Sequence, residues 1–107
     1  MEKTVSGPLT ILEVNARWTE LEGLQGQPLR LDLGQVDELD TAGLQLLIAL
    51  KLKARMRGTR LEYTNHSLPV LRVLSLTGAA GILGDKLRIP SGMRAELPFA
   101  YGARRGS

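Results

Sequence analysis

The stretch from Arg30 to Leu52 constrains this chain more than any other, because it switches period within a few residues. Leu29, Leu31 and Leu33 alternate with Arg30 and Asp32, the two-residue repeat of a strand with one face on a core. From about Ala42 the apolar positions follow a helical repeat instead. The connecting Asp37-Glu38-Leu39-Asp40-Thr41-Ala42-Gly43 reads as a strand-to-helix turn, with Asp40 or Thr41 at the N-cap. A short oxygen-bearing side chain there accepts from the helix's first free N–H groups.

The helix is apolar on more than one side. At about 100° per residue, Leu46, Leu47, Leu50 and Ala54 share one arc suited to a core. Leu44, Ile48 and Leu52 fall roughly opposite, in line with Thr41, while Lys51, Lys53, Arg55 and Arg57 read as the solvated positions. Such a helix either lies between two layers of its own domain or carries a docking strip for a partner.

A chain of 107 residues forms one domain with a modest core, and with four aromatics leucine must do most of the packing. The absence of cysteine excludes disulfides and thiolate metal sites. No apolar run reaches membrane-spanning length and the N-terminus lacks a signal-peptide pattern, so a cytoplasmic protein without membrane insertion is expected.

The net charge of +3 suggests nucleic acid only until it is divided along the chain. Residues 1–85 hold nine Lys and Arg against ten Asp and Glu; residues 86–107 hold five against Glu96 alone. The expected organisation is a folded domain over 1–85 and a flexible basic tail over 86–107, with no nucleic-acid partner.

In chain order, Lys3–Val5 reads as a short edge strand and Leu9-Thr10-Ile11 as another brief strand. Val14, Trp18, Leu21 and Gln25 then mark an amphipathic helix, closed by Gly23, Gly26 and Pro28. Arg57-Gly58 stops the greasy helix, Arg60–Thr64 alternates as a strand, and a helix runs from Pro69 to about Leu76. Ala79–Leu83 forms one more turn. The strands at Leu29 and Arg60 are expected to be parallel neighbours, giving an α/β layer structure.

Catalytic chemistry has little to work with. One histidine, no cysteine and no G-x-S-x-G leave no conventional triad, and no phosphate-cradling or dinucleotide glycine pattern occurs. His66 in its Asn-His-Ser turn reads as a surface or capping residue. Asp32, Asp37, Glu38 and Asp40 read as solvated acids, so no metal, cofactor or catalytic residue is assigned. Thr41 has two readings, a hydroxyl spent on capping or a phosphorylation site, where a phosphate adds about −1.5 to −2 charges to a helix N-terminus.

Leu31-Asp32-Leu33-Gly34, then Asp40-Thr41-Ala42-Gly43-Leu44-Gln45-Leu46-Leu47, with Leu9-Thr10-Ile11 before and Arg60-Leu61-Glu62-Tyr63 after, resembles a STAS domain, the fold of anti-sigma factor antagonists. The likeness runs from about Leu9 to Leu83. It implies a single domain with a small mixed sheet flanked by helices, and a bacterial, non-enzymatic signalling protein that binds a partner. By this resemblance Thr41 is phosphorylated by a serine/threonine kinase that is itself the anti-sigma factor. Asp40 places that hydroxyl, Gly43 permits close approach, and Leu44 and Ile48 dock the partner.

Other STAS proteins carry Thr at this position. Some accompany chemotaxis-type operons, and one group forms a constitutive accessory subunit of lipid-transport ABC ATPases. A homodimer through the same strip is the remaining expectation.

Overall fold

The computed structural model describes residues 1–85 and Leu87. Their order is β1 (Glu2–Leu9), α1 (Val14–Glu22), β2 (Leu29–Leu39), α2 (Thr41–Arg57), β3 (Leu61–Thr64), α3 (Leu68–Thr77) and α4 (Ala80–Leu83). The expected basic tail, Leu87 apart, lies outside the described residues. The α/β class holds, and the strands at Leu29 and Leu61 are parallel neighbours as their helical crossover requires. Among the described residues the sheet is parallel throughout, in the order β1-β2-β3, with no antiparallel pair of the kind a mixed sheet contains.

Two strands differ from the sequence reading. The pieces expected at Lys3–Val5 and Leu9–Ile11 are one eight-residue strand that ends at Leu9, followed by a turn. β2 runs on through Asp37 and Glu38 to Leu39, so the turn is shorter than expected. The cause is common to both. β1 and β2 slip register between Thr4 and Ser6 and between Gly7 and Pro8, and each slip resets the inside-outside alternation. Gly7, with φ of 84°, takes up the conformation that such an irregularity needs.

The core lies on the helix-covered face of the sheet. Leu9, Leu31 and Leu33 from the strands meet Leu47 and Leu50 of α2 and Leu74 of α3, all essentially without solvent contact. The opposite face is polar: Arg30 sits between Glu2 and Glu62, in ion pairs of 3.2 and 3.5 Å. These are exposed pairs of small individual worth.

Several side chains on or near α2 depart from expectation. Leu44 is 4 % exposed and belongs to the core, not to the opposite side. Lys51 is buried as well. Both sit at about 280–300° on the helical wheel measured from Thr41, so α2 is covered over a wider arc than one sheet supplies. Ile48 packs partly against the core, and Leu52 is exposed. Gln25 lies beyond the end of α1, buried, with Nε2 donating to Leu50 O at 2.9 Å.

Lys51 is held by neighbours far away in sequence. Its Nζ donates to Leu61 O at 2.6 Å and to Asp85 Oδ1 at 2.7 Å, and it stands 5.0 Å from the centre of the Tyr63 ring. Asp85 Oδ1 also accepts from the Tyr63 N–H at 2.9 Å. Tyr63 OH donates to Leu47 O at 2.7 Å; burial, and then the Asp85 charge, push its pKa well above the ordinary 10.0. One carboxylate thus fastens the segment after α4 to both α2 and β3.

Candidate functional site

The start of α2 is built by Asp40. Its extended backbone makes it the N-cap, and its Oδ1 accepts from the Gly43 N–H at 2.9 Å. Oδ2 accepts from the Ile11 N–H, also at 2.9 Å, and the Asp40 N–H donates back to Leu9 O at 3.3 Å. A single side chain therefore ties the turn after β1 to the first turn of α2. The Gly43 and Ile11 N–H groups, in that order, hold the Asp40 carboxyl below its ordinary pKa of 3.8, so it is an anion at neutral pH.

Gly43 is where α2 meets β1. A Cβ at this position would stand 2.0 Å from Leu9 O and 2.7 Å from Leu39 Cδ1. The close approach implied by the resemblance is thus a backbone contact within the domain.

With Asp40 as the cap, Thr41 is the first helical residue and is exposed. Its hydroxyl has no hydrogen-bond partner among the described residues, so the capping reading of Thr41 gives way to that of an open hydroxyl at the positive end of a 17-residue helix. Following Thr41 along the same side of α2 are exposed Gln45, half-buried Ile48 and exposed Leu52. Leu44 lies outside this surface, its side chain spent on the core.

Two residues that the sequence reading missed complete the surface. Ile11 and Leu12 are 66 % and 88 % exposed, in the turn that Asp40 holds. Their signal was present as Thr10-Ile11-Leu12-Glu13, a capping-box pattern. Glu13 Oε1 accepts from the Thr10 N–H at 3.0 Å and from the Thr10 hydroxyl at 2.6 Å. The box fixes the turn and leaves the two intervening apolar residues facing outward.

The other carboxylates do different work. Asp32 Oδ1 accepts from the Gly34 N–H at 2.8 Å and from Asn65 Nδ2 at 3.1 Å, whereas Asp37 and Glu38 are exposed on β2. Among the described residues no three acids or histidines gather as a metal site would need, and no helix is long and apolar enough to cross a membrane.

His66 is not the surface residue its turn suggests. It is 9 % exposed, and neither ring nitrogen has a hydrogen-bond partner among the described residues. Burial holds its pKa below 6.5, with the Asp85 charge opposing and the Lys51 charge assisting. Because the unfolded chain accepts a proton at about pH 6.5 and the folded chain resists it, stability falls as pH drops from about 6.5 towards the lowered value. The expected slope is at most about 1.4 kcal/mol per pH unit, and a His66→Gln variant loses it. Urea midpoints across pH 5–7.5 for the two proteins measure the difference.

A search of the curated proteins finds no match. The solved structure described as "Crystal Structure Analysis of Mglu" matches with a TM-score of 0.52 and 23 % identity over 58 % of this chain, a likeness of fold alone. The match spans 16 % of that chain's length. The family STAS_2, described as "Mlab, STAS domain", matches residues 4–87, from inside β1 to the last described residue. The matched span contains β2, the Asp40 cap and the helix opening at Thr41, and this chain belongs to the STAS domain family.

Proposed function

We propose that this STAS domain is a non-enzymatic, cytoplasmic protein-docking module, that the start of α2 is its contact surface, and that phosphorylation of Thr41 switches it off. The supporting observation is the open Thr41 hydroxyl, flanked by the exposed Ile11 and Leu12 and continued by Gln45, Ile48 and Leu52. Asp40 positions Thr41, and Gly43 sets how closely the helix approaches β1. A phosphate on Thr41 places a second anion beside the Asp40 carboxylate, in the middle of an apolar contact surface. A partner packed there must desolvate it or leave. The partner in this reading is an anti-sigma-type serine/threonine kinase.

A second reading, a constitutive accessory subunit of an ABC-type ATPase, is favoured by Ile48 and Leu52, which extend the surface well past the reach of Thr41. One experiment separates the two. Wild-type, Thr41→Glu, Thr41→Ala and Ile48→Asp/Leu52→Asp baits are compared by quantitative mass spectrometry of the captured ATPase and of Thr41. The switch predicts phosphate on Thr41, at least about tenfold less kinase with Thr41→Glu, and full capture with Thr41→Ala. Equal capture by Thr41→Glu, with loss only in the Ile48→Asp/Leu52→Asp bait, establishes the constitutive subunit. Undiminished capture by all four overturns both.

A further inference from the structure

β2 is nearly three times as long as β3 on one side of it. β3 pairs only with its first four residues, from Leu29 with Leu61 to Asp32 with Thr64, while β1 accompanies β2 as far as Leu39. From Leu33 onwards, β2 therefore has no strand partner on the β3 side among the described residues. The divergence is built in. At Asn65 the chain turns away with φ of 53°, and Asn65 Nδ2 is tied to Asp32 Oδ1, which also holds the Gly34 N–H. Gly34 is needed for this lock, because a Cβ there would stand 2.2 Å from Asn65 Nδ2.

Between the overhang and the start of α3 is an open depression of about 490 Å³, lined by Gly34, Val36, Asp37, Asn65, His66 and Leu68 among others. Leu68 is 42 % exposed and gives it an apolar wall, and the buried His66 contributes ring nitrogens that have no hydrogen-bond partner among the described residues. Among the described residues no Lys or Arg lines it. Asp37 and its neighbour Glu38 are exposed, and no ion pair to either occurs among the described residues. An open strand edge offers backbone hydrogen bonds to any extended chain; the side chains around it decide which chain is accepted.

We propose that this groove takes an extended basic peptide, which adds as a strand to β2 over residues 34–38. Its apolar side chains pack towards Leu68 and its Lys or Arg side chains face Asp37 and Glu38. The site is separate from Thr41, since Asp40 and Gly43 abut the end of β1, on the other side of β2.

The test uses the full chain, isotopically labelled, and an end-blocked hexapeptide of alternating Lys or Arg and Val. Amide shifts confined to residues 34–38 and 65–68, with affinity falling as salt rises, are expected. Asp37→Lys combined with Glu38→Lys weakens binding about tenfold while the remaining spectrum shows an intact fold. A peptide N-methylated at its central residues loses binding, because a methylated nitrogen has no hydrogen to give the strand edge. Absence of shifts at about 1 mM peptide, shifts elsewhere on the domain, or equal binding of the methylated peptide overturns the proposal.

Discussion

Replacing Gly43 by Ala is expected to destabilise the domain by roughly 3 kcal/mol or more, although the same change in an open helix stabilises by about 1 kcal/mol. The two effects oppose each other, and the geometry decides the sign. The new Cβ would stand 2.0 Å from the backbone oxygen of Leu9, and a paired strand cannot retreat as the tip of a flexible side chain can. Either α2 lifts from β1, breaking the Asp40–Ile11 tie, or the strand shifts within the sheet. Gly81→Ala in α4 is the control, since a Cβ there meets nothing within 4 Å and the change is expected to be neutral or favourable. Urea denaturation midpoints of the two variants measure the difference; a Gly43→Ala protein as stable as the control disproves the tight contact.

Asp85→Ala is expected to cost about 3–5 kcal/mol, the range for removing one partner of a buried ion pair. The side chains of Lys51 and Asp85 are only 10 % and 6 % exposed. Without the carboxylate, the ammonium keeps the Leu61 carbonyl as its hydrogen-bond acceptor, and the Tyr63 N–H loses its acceptor altogether. Lys51→Met combined with Asp85→Ala is expected to recover a large part of the loss, because the double change removes the uncompensated charge. A double-mutant cycle followed by denaturation measures that non-additivity. Additive losses would mean that the two groups do not act as a pair.

The strand, turn and helix from Arg30 to Arg57 were legible because each rests on local chemistry. Leu31 and Leu33 alternate, Asp40 caps, and Gly58 ends the helix with φ of 71°. The errors arose where remote residues decide. Nothing near Lys51 in the sequence shows that Asp85 closes over it, 34 positions later, so a lysine on a helix reads as solvated. Leu44 falls outside the core on a helical wheel alone, because the width of the covered arc depends on what else packs on α2. The polar neighbours of His66 suggested water, yet it is covered in the folded domain.

β1 reads as two pieces because its pattern is weak before Leu9; the register slips at Thr4/Ser6 and Gly7/Pro8 let it run as one strand. For the candidate site the position of Asp40 and Thr41 was readable from the motif alone. The exposed pair Ile11 and Leu12 was not, because apolar residues in a short turn look like strand until the Thr10–Glu13 box is recognised.

The parallel order of the sheet also bears on how the chain reaches this state. Every described strand pairing joins residues about thirty apart, Glu2 with Arg30, Leu9 with Leu39, Leu29 with Leu61. No hairpin among the described residues offers a short first step. Closing a loop of that size costs about 3 kcal/mol in chain entropy before the first pair of strands meets. Pairings this far apart in sequence slow folding for a domain of this size, and helices that form early speed it mainly by shortening the span between the strands they connect.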